Sequence, residues 1–338
     1  MSASLKRFCP EASLWILCLD TFTWDLLQRL QIPGIHPIRL EHLEGRFPEL
    51  VSAKGNRNLL EYYFTCTPAM ISFVLDRNPE LPRITYLDAD LYFFSDPGSL
   101  FQEIGSSPIA VVEHRYSPGN RDREQSSGRF NVSWVTFRRE AQAMECLESW
   151  RRQCLEWCYD RVEAGLFGDQ RYLDRWPELY PGLLVIQHAG AGCAPWNVDV
   201  SSWSRTDDAV LVDGVPLCFF HFHGIRRVSE RVYDPVLAHY GTRMNRVLRR
   251  DVYRPYVACL LAVHHAIFGM ESGVQVFDNL RRELYPKDGP DRPLERLRNW
   301  ISVTRRLVTG EYLLIWNIRS RVKQMRVELA RWIPALVR

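Results

Sequence analysis

The sequence predicts an α/β fold, with a mixed, mostly parallel sheet flanked by helices and a helical extension at the C-terminus. Short apolar runs, typical of strands buried on both faces, alternate with longer segments in which apolar residues recur at three- and four-residue steps. Beyond about residue 233 only the helical periodicity continues. This alternation is typical of a sheet covered by helices, and the change at residue 233 predicts the extension.

The strands and helices follow one another along the first two thirds of the chain. The pattern predicts strands at 14–19, 35–40, 84–87, 109–112 and 130–137, and shorter strands at 183–187, 209–212 and 216–221. It predicts helices at 21–31, 58–76 (interrupted at Pro68) and 140–162. Pro33 and Gly34 end the first of these helices, because proline cannot continue a helix and glycine permits the turn that follows.

The composition excludes several classes of protein. The chain has 338 residues, of which 46% are hydrophobic and 12% aromatic, enough to build a sizeable core. These values exclude a disordered tail protein, a collagen and a disulfide mini-protein. The nine cysteines are scattered and form no paired CxxC clusters, which predicts a reduced, cytoplasmic chain. The apolar runs are too short for a transmembrane helix or a secretory signal.

The charges divide the chain into parts. Residues 292–338 contain eleven basic and three acidic side chains, a net charge of +8, whereas the preceding residues carry 32 basic and 37 acidic side chains. Because acids balance the arginines in this body, we expect no nucleic-acid partner. We therefore predict a strand-and-helix domain at 1–232, a helical extension at 233–284, a linker rich in proline at 285–293 and a basic amphipathic helical tail at 294–338.

The basic tail has an apolar stripe that allows two interpretations. Its members recur at helical spacing, with basic residues between them: Val322, Met325, Leu329, Trp332 and Leu336. A basic amphipathic helix of this kind can lie on an anionic membrane surface. An apolar stripe is equally typical of a helix that docks on the rest of its own chain. The sequence leaves both interpretations open.

Two carboxylates follow the predicted strand at 84–87. Asp88 and Asp90 are separated by one residue, at the strand end where open α/β sheets bind ligands. Carboxylates in such a crevice are costly unless they meet a cation, and a hard divalent ion that also binds phosphate oxygens would satisfy them. The alternative is a strand end capped by solvated acids. The apolar residues before the pair and the aromatic residues after it favour the metal site.

A pair of histidines ends the predicted strand at 216–221. Because residues two apart on a strand share a face, His221 and His223 point the same way, and one of them could complete a metal site with the two carboxylates. Gly224 permits a close backbone approach, and Arg226 and Arg227 supply cations for phosphate. The alternative is two half-buried histidines that bond to the backbone.

A third motif places Asp169 and Gln170 after Gly168, at the start of a predicted helix. Asp169 could be a simple helix N-cap. That interpretation leaves Gln170 without a role, so the pair is a candidate for contact with a substrate.

The order of these motifs resembles that of GT-A fold glycosyltransferases, and it is most similar to the glycogenin and bacterial lipopolysaccharide galactosyltransferase type. The motifs are Asp-x-Asp at 88–90, Phe-Asn-Val at 130–132, Gly-Asp-Gln at 168–170, Pro-Trp-Asn at 195–197 and His-Phe-x-Gly at 221–224. The resemblance covers about residues 1–227 and implies a GT-A, Rossmann-like fold.

The resemblance also implies roles for single residues. Asp88, Asp90 and His221 would bind Mn²⁺ or Mg²⁺ on the diphosphate of a nucleotide sugar. Asp169 and Gln170 would be the catalytic pair, next to the anomeric carbon of the donor sugar. The remaining motif positions would bind the substrate: Asn131, Trp196, Asn197, Gly224, Arg226 and Arg227.

The chain departs from the family pattern at three places. A strand and a helix normally precede the segment that begins here at Leu14, so the first strand of the domain is expected to be missing, with residues 2–8 as the end of that helix. Ser133 stands where the family has glycine. The donor-contacting arginine of the helix before the Asp-x-Asp motif has no clear match, although Arg57, Glu61, Thr65 and Thr67 lie in that region.

The expected function is therefore that of a metal-dependent glycosyltransferase. It would move a hexosyl unit from a nucleotide-diphosphate sugar to a hydroxyl group of a glycan or a lipid-linked acceptor, with retention at the anomeric carbon. We expect it to act in cell-surface glycan or polysaccharide synthesis, in the cytoplasm and peripherally on the inner face of the membrane.

Two other functions fit parts of the sequence. One is a non-catalytic, degenerate transferase fold that serves as a membrane-associated partner, which a missing first strand favours. The other is a phosphohydrolase with an Asp-x-Asp nucleophile pair. Its usual second acidic pair would follow a strand, whereas Asp207 and Asp208 precede one.

Overall fold

A computed structural model describes residues 1–229, 231–267 and 305–332, apart from 308, 310 and 315–318. The chain forms two compact units, Met1–His223 and Gly224–Arg338. The predicted linker at 285–293 lies outside the described residues, as does the predicted tail on either side of the segments within 305–332.

The first unit contains the predicted alternation of helices and strands. Its helices are α1 (Ser2–Phe8), α2 (Thr21–Leu30), α3 (Leu40–Arg46), α4 (Glu49–Lys54), α5 (Leu59–Arg77), α6 (Gly98–Ile104), α7 (Asp122–Ser127), α8 (Ala141–Glu156) and α9 (Trp176–Leu179). Its strands are β1 (Leu14–Cys18), β2 (Ile35–Arg39), β3 (Arg83–Leu87), β4 (Leu91–Phe93), β5 (Ile109–Glu113), β6 (Phe130–Arg138), β7 (Leu184–Val185), β8 (Trp203–Arg205), β9 (Val210–Val212), β10 (Val215–Pro216) and β11 (Phe219–His221). The α/β fold class is confirmed.

A four-stranded mixed sheet forms the middle of this unit, in the order β3–β6–β5–β7. Eight of the nine residues of β6 are buried. One face of the sheet packs against α5 and α8, through Ile71, Val135 and Trp150 among others, and the other face packs against α6 and β4. The flanking of the sheet by helices is therefore as predicted.

One strand of this sheet runs opposite to the other three. β6 runs antiparallel to both β3 and β5, and only β5 and β7 pair in parallel within this sheet. β3, β5 and β7 therefore point the same way and β6 alone runs opposite to them, so the sheet is mixed as predicted, although two of its three neighbouring pairs are antiparallel. Continuous apolar runs indicate that a strand is buried on both faces, and an antiparallel strand covered on both faces has the same pattern.

A bulge in β6 lies beside the end of β3. The register between β5 and β6 shifts after Val111, which pairs with Val135, because the next residue, Val112, pairs with Asn131. The residues between these partners form the bulge, and the carbonyl of Ser133 accepts the backbone N–H of Asp88 at 3.2 Å. Bulges commonly redirect side chains next to functional sites.

Helix α5 is continuous, in contrast to the predicted interruption at Pro68. Its N-terminus is a capping box, in which the Asn58 side chain accepts the N–H of Glu61 and the Glu61 carboxylate accepts the N–H of Asn58. Such a box satisfies two of the free donors at a helix start. Helix α8 ends at Glu156, earlier than predicted.

Three smaller sheets complete the first unit, one of which is the pair β4–β11. β1 and β2 pair in parallel, and β8, β9 and β10 form an antiparallel sheet. The β9–β10 hairpin turns at Asp213 and Gly214, both of which have positive φ, as a tight two-residue turn requires. The predicted strand at 216–221 is two strands, β10 and β11, which belong to different sheets.

The described residues of the second unit include a small antiparallel sheet and two long helices. Strands β12 (Arg226–Arg227), β13 (Val232–Asp234) and β14 (Leu313–Leu314) lie in that order. Helix α10 spans residues 246–267, with a π-helical segment at Leu248–Tyr253, and α11 spans Arg319–Trp332. The helices agree with the predicted extension, but the sheet was not predicted. Among the described residues, no helix is long and apolar enough to cross a membrane.

Gly190 lies where the chain approaches the start of β11. Its carbonyl accepts the backbone N–H groups of Cys218 at 2.9 Å and Phe219 at 3.2 Å. A Cβ atom at this position would collide with the carbonyl of Pro216 and lie 2.9 Å from the nitrogen of Cys218. Only glycine allows the two backbone segments to lie this close.

We therefore expect Gly190→Ala to lower the free energy of unfolding by about 1–3 kcal/mol, the usual cost of an overpacked site. Urea denaturation measures this change. Gly45→Ala is the matched control, because Gly45 lies in α3 and a Cβ atom added there would meet nothing within 4 Å. Alanine there should be neutral or stabilise by about 0.5–1 kcal/mol. Equal stability of the two variants would contradict the close approach at Gly190.

Candidate metal centre

The pairing of β4 with β11 brings two distant motifs together. Asp88 and Asp90 lie in the turn between β3 and β4, where the N–H of Leu91 bonds to the carbonyl of Asp88 at 3.3 Å. β4 then pairs antiparallel with β11, with Leu91 opposite His221. Because the N–H of Phe222 bonds to the carbonyl of Asp90 at 3.1 Å, the carboxylates and the histidines lie at one end of the same ladder.

The side chains meet at distances that suit a cation. Nε2 of His221 lies 3.1 Å from Oδ1 of Asp90 and 3.6 Å from Oδ2 of Asp88. The ligand atoms of Asp90, His221 and His223 all lie within 4.8 Å of one another. Carboxylate oxygens and imidazole nitrogens together suit divalent ions such as Mn²⁺, so these residues form a candidate site for a metal ion.

One side of this centre is closed and the other is open. His221 is only 4% exposed, and its backbone N–H bonds to the carbonyl of Cys193 at 2.8 Å. The ring of Trp196 lies edge-on to both imidazoles, at 5.4 Å from His221 and 5.5 Å from His223. His223 is exposed, and the side chain of Asp90 is 38% exposed. An ion held here would keep coordination positions toward solvent.

The charges of the centre depend on one another. Burial by itself would raise the pKa of Asp90, but the charge of His221 and its hydrogen bond hold that pKa below its ordinary value. Burial by itself would lower the pKa of His221. The charges of Asp90 and Asp88 outweigh the effect of burial, so the pKa of His221 is raised above its ordinary value. Burial raises the pKa of Asp88 to about 6, because the attraction of His221 compensates only in part. Asp90 and His221 are therefore an ion pair, with Asp88 as the more weakly acidic neighbour.

Asp169 lies near the same centre. Its side chain is 6% exposed, and its backbone carbonyl accepts the indole N–H of Trp150 at 2.7 Å. Burial and the charge of Asp88 raise the pKa of Asp169 to about 7. Gln170 follows it, and its side-chain amide donates to the carbonyl of Ser127 at 2.7 Å. The fold thus brings Asp169 close to the first motif.

Asn131 lies behind the centre, on β6, and bonds to a buried histidine. Its Oδ1 accepts the N–H of Ser133 at 3.1 Å, so its NH₂ group faces Nε2 of His114 at 3.1 Å. That nitrogen must accept, which requires an uncharged imidazole. His114 is 3% exposed, and burial lowers its pKa to about 3.

Trp196 and Asn197 hold the loop that follows β7. The indole N–H of Trp196 donates to the carbonyl of His114 at 2.9 Å. The amide of Asn197 donates to the carbonyls of His114 and Gly192, at 2.7 and 2.9 Å, and accepts the N–H of Ala194 at 2.9 Å. The polar groups of these two predicted substrate contacts therefore bond to the backbone, while the indole ring faces the histidines.

The remaining predicted substrate contacts belong to the second unit. Arg226 and Arg227 form β12. Gly224 has φ of +67°, in the left-handed region that favours glycine, and a Cβ atom there would lie 3.3 Å from the side chain of Val236. A conformational requirement of the chain thus accounts for this glycine.

Three residues near the centre were missed as site residues. The hydroxyl of Tyr86 donates to Oδ1 of Asp88 at 2.9 Å, and Thr67 on α5 faces both Tyr86 and Asp169. Tyr86 could have been predicted, because it precedes Asp88 by two residues on a strand and shares its face. Thr67 and His114 carry no signal in the sequence that links them to either motif.

The other polar residues noted near Thr67 have local roles. Glu61 caps α5 and also accepts the N–H of Asp160 at 3.0 Å. Arg57 bonds to the carbonyls of Cys154 and Leu155, at 3.1 and 2.8 Å, at the end of α8. The hydroxyl of Thr65 bonds to the carbonyl of Glu61 within the helix.

Fold and site together define an α/β protein with a candidate divalent-metal centre at the end of a strand ladder. Two proteins of Bacillus subtilis (strain 168) are similar to it in sequence. The uncharacterized protein YfnD is 32% identical over 259 residues, which are 76% of this chain and 82% of YfnD. The uncharacterized protein YfnF is 34% identical over 258 residues, which are 74% of this chain and 84% of YfnF. The chain belongs to the family of YfnD and YfnF.

The chain was also compared with protein-family models and with solved structures. No family model matches the chain. The crystal structure of mouse xyloside xylosyltransferase 1, in its apo form, aligns with 66% of this chain and 90% of its own, at 17% identity and a TM-score of 0.39.

The buried, uncharged His114 predicts a loss of stability in acid. Its pKa is about 3 in the folded protein and 6.5 in the reference state, so its contribution is complete above pH 6.5 and is lost as the pH falls toward 3. Between pH 6.5 and 4.5 this loss is about 2 kcal/mol, since each pKa unit corresponds to about 1.4 kcal/mol.

Urea denaturation at a series of pH values measures this effect against His114→Gln. Glutamine cannot gain a proton in this range and still offers an acceptor to Asn131. We expect the stability of the variant to fall less steeply between pH 6.5 and 4.5 than that of the natural protein. Parallel curves would show that His114 is not held neutral.

Proposed function

We propose that the chain is a metal-dependent glycosyltransferase of the GT-A type. It would transfer a hexosyl unit from a nucleotide-diphosphate sugar to a hydroxyl group of a glycan or lipid-linked acceptor, with retention at the anomeric carbon. The observation that supports this proposal is the meeting of Asp88 and Asp90 with His221 at the end of the β4–β11 ladder. The order of the other motifs along the chain is similar to that of this enzyme class.

The open side of the centre suits a diphosphate. Asp88, Asp90 and His221 would hold Mn²⁺ or Mg²⁺, and the exposed His223 offers a further nitrogen. Such an ion, when bound, would stabilise the negative charge that develops on a nucleoside diphosphate as it leaves. Because the protein ligands lie on one side, phosphate oxygens can reach the other.

Asp169 and Gln170 are proposed as the catalytic pair. Asp169 is held in place by burial and lies close enough to Asp88 for the two charges to interact. Because its pKa is about 7, its carboxyl group is protonated in part of the molecules near neutral pH. Asp169 can therefore donate or accept a hydrogen bond at a sugar hydroxyl, and Gln170 would orient the same sugar.

The remaining predicted contacts divide into two groups. Asn131, Trp196 and Asn197 would shape the donor pocket by holding its backbone, since their polar groups already bond within the chain. Arg226 and Arg227, after Gly224, would bind the phosphates of the donor. We further propose that the enzyme acts in cell-surface glycan or polysaccharide synthesis in the cytoplasm.

The central test is Asp90→Asn, which keeps the size of the side chain and removes its charge. We expect transfer from a panel of nucleotide sugars, measured as release of the nucleoside diphosphate with Mn²⁺, to fall by about 100-fold or more. Calorimetry should show that the natural protein binds a nucleotide sugar with a heat that depends on Mn²⁺, and that the variant does not.

The matched control is Asp207→Asn, which removes an exposed carboxylate from the turn before β9. It should leave transfer and binding unchanged, and circular dichroism should show that both variants are folded. Normal transfer by a folded Asp90→Asn protein would contradict the proposal. Release of inorganic phosphate without an acceptor would instead indicate a phosphohydrolase. If calorimetry detects no heat of binding with any nucleotide sugar, the result would indicate a non-catalytic fold.

Attachment to an anionic membrane surface is the second part of the proposal. In α11, Val322 and Leu329 of the apolar stripe are buried, whereas Lys323, Arg326 and Arg331 are exposed. The apolar residues therefore favour docking within the chain. The three exposed cations leave an electrostatic attraction to acidic lipids, worth about 1 kcal/mol for each basic residue near the surface.

Flotation with liposomes tests this attachment. The natural protein should float with vesicles that contain phosphatidylglycerol, and less so at high salt, because salt screens charges. Replacing Lys323, Arg326 and Arg331 by alanine should strongly reduce flotation. Gln324→Ala, an exposed and neutral position on the same helix, is the control. Equal flotation of the natural and the triple-alanine protein would show that these three cations do not attach the protein to the membrane.

A further inference from the structure

The two oxygens of Asp88 face different partners. Oδ1 accepts a hydrogen bond from the hydroxyl of Tyr86 at 2.9 Å, and Oδ2 lies 3.6 Å from Nε2 of His221. The backbone N–H of the same residue is held by the carbonyl of Ser133 at 3.2 Å. Both the backbone and one side-chain oxygen of Asp88 are therefore fixed from the side of the sheet.

Tyr86 is itself held firmly. It lies on β3, opposite Val135 of β6, and its ring packs against the cluster between the sheet and α5 and α8. Its hydroxyl is directed to Asp88, because residues two apart on a strand share a face. A ring fixed by packing gives its hydroxyl a fixed position.

The hydrogen bond from the Tyr86 hydroxyl is important because the carboxylate group of Asp88 rotates easily about its terminal torsion. The terminal torsion of an aspartate has a broad, two-fold preference, so the backbone does not determine which oxygen points where. A hydrogen bond to one oxygen selects the orientation. In metal sites, partners of this kind set the direction of the ligand atom.

We propose that Tyr86 is a positioning residue of the metal centre, which holds Oδ1 of Asp88 so that Oδ2 faces the cation together with His221. This inference rests on the metal site of the proposed function. It assigns to Tyr86 no contact with the cation or the substrate. Thr67 extends the arrangement, because its hydroxyl faces Tyr86 on one side and Asp169 on the other.

The arrangement links the two halves of the proposed active site. Asp88 belongs to the turn after β3, and Asp169 precedes the turn of 3₁₀-helix at Arg171–Arg175. Tyr86 donates a hydrogen bond to Asp88, and the charge of Asp169 contributes to raising the pKa of its hydroxyl. One hydroxyl on the sheet is thus bonded to the residue that would bind the metal and lies in the field of the residue that would contact the sugar.

The test is the affinity of the full chain for Mn²⁺, measured by titration calorimetry without nucleotide or acceptor. Tyr86→Phe removes only the hydroxyl. We expect it to bind Mn²⁺ about 10- to 100-fold more weakly than the natural protein, the usual effect of losing an outer partner of a metal ligand.

Thr85→Val is the matched control on the same strand. The hydroxyl of Thr85 bonds to that of Thr136 at 2.9 Å, on the face opposite to Tyr86, so this variant also loses one hydroxyl and one hydrogen bond. It should bind Mn²⁺ as the natural protein does. Urea denaturation of both variants shows whether they are equally stable, which separates positioning from a general weakening of β3.

The outcomes are distinct. Unchanged affinity of Tyr86→Phe, with binding by the natural protein, would overturn the role of Tyr86 and leave the metal site intact. Equal weakening in Tyr86→Phe and Thr85→Val would also overturn it, because the effect would come from the strand. Absence of Mn²⁺ binding by the natural protein would overturn the metal site itself, and the role of Tyr86 with it.

Discussion

Strand β6 (Phe130–Arg138) supports both the sheet and the candidate metal centre. It pairs with β3 on one side and β5 on the other, and eight of its nine residues are buried. Its ladder with β3 continues beyond Leu87, where the N–H of Asp88 bonds to the carbonyl of Ser133, and its Asn131 side chain bonds to His114. Since an unpaired buried backbone group costs free energy, the position of Asp88 follows from the pairing of this strand.

The sequence predicted the elements of the sheet better than their directions. Apolar runs gave the positions of β3, β5 and β6 within a few residues, because a strand covered on both faces must be apolar throughout. Antiparallel pairing was not predictable, since it leaves the same pattern. The segment around Cys218 shows a second limit, because its bonds to Gly190 separate β10 from β11 and no local pattern encodes so distant a contact.

The residues of the candidate site also differ in how far the sequence predicts them. Asp88, Asp90 and the two histidines carry metal-binding chemistry at regular spacing. The fold places the ligand atoms of Asp90, His221 and His223 within 4.8 Å of one another, with Oδ2 of Asp88 3.6 Å from Nε2 of His221. Tyr86 follows from the period of a strand once Asp88 is recognised. His114 is distant from both motifs in the sequence, and only the fold buries it beside Asn131, where burial lowers its pKa and keeps its ring uncharged.

The burial of the short β4–β11 ladder has a consequence for motion. Each strand contributes only three residues, but all six are buried, and Leu91, Phe93 and Phe219 pack in the cluster on one face of the four-stranded sheet, so the ladder can open only by exposing that cluster. The share of molecules with an assembled centre then equals the share in which this ladder is closed. A ligand that contacts both strands would add its binding free energy to the cost of opening, and amide exchange at Phe222, whose N–H bonds to the carbonyl of Asp90 across the ladder, would slow in proportion.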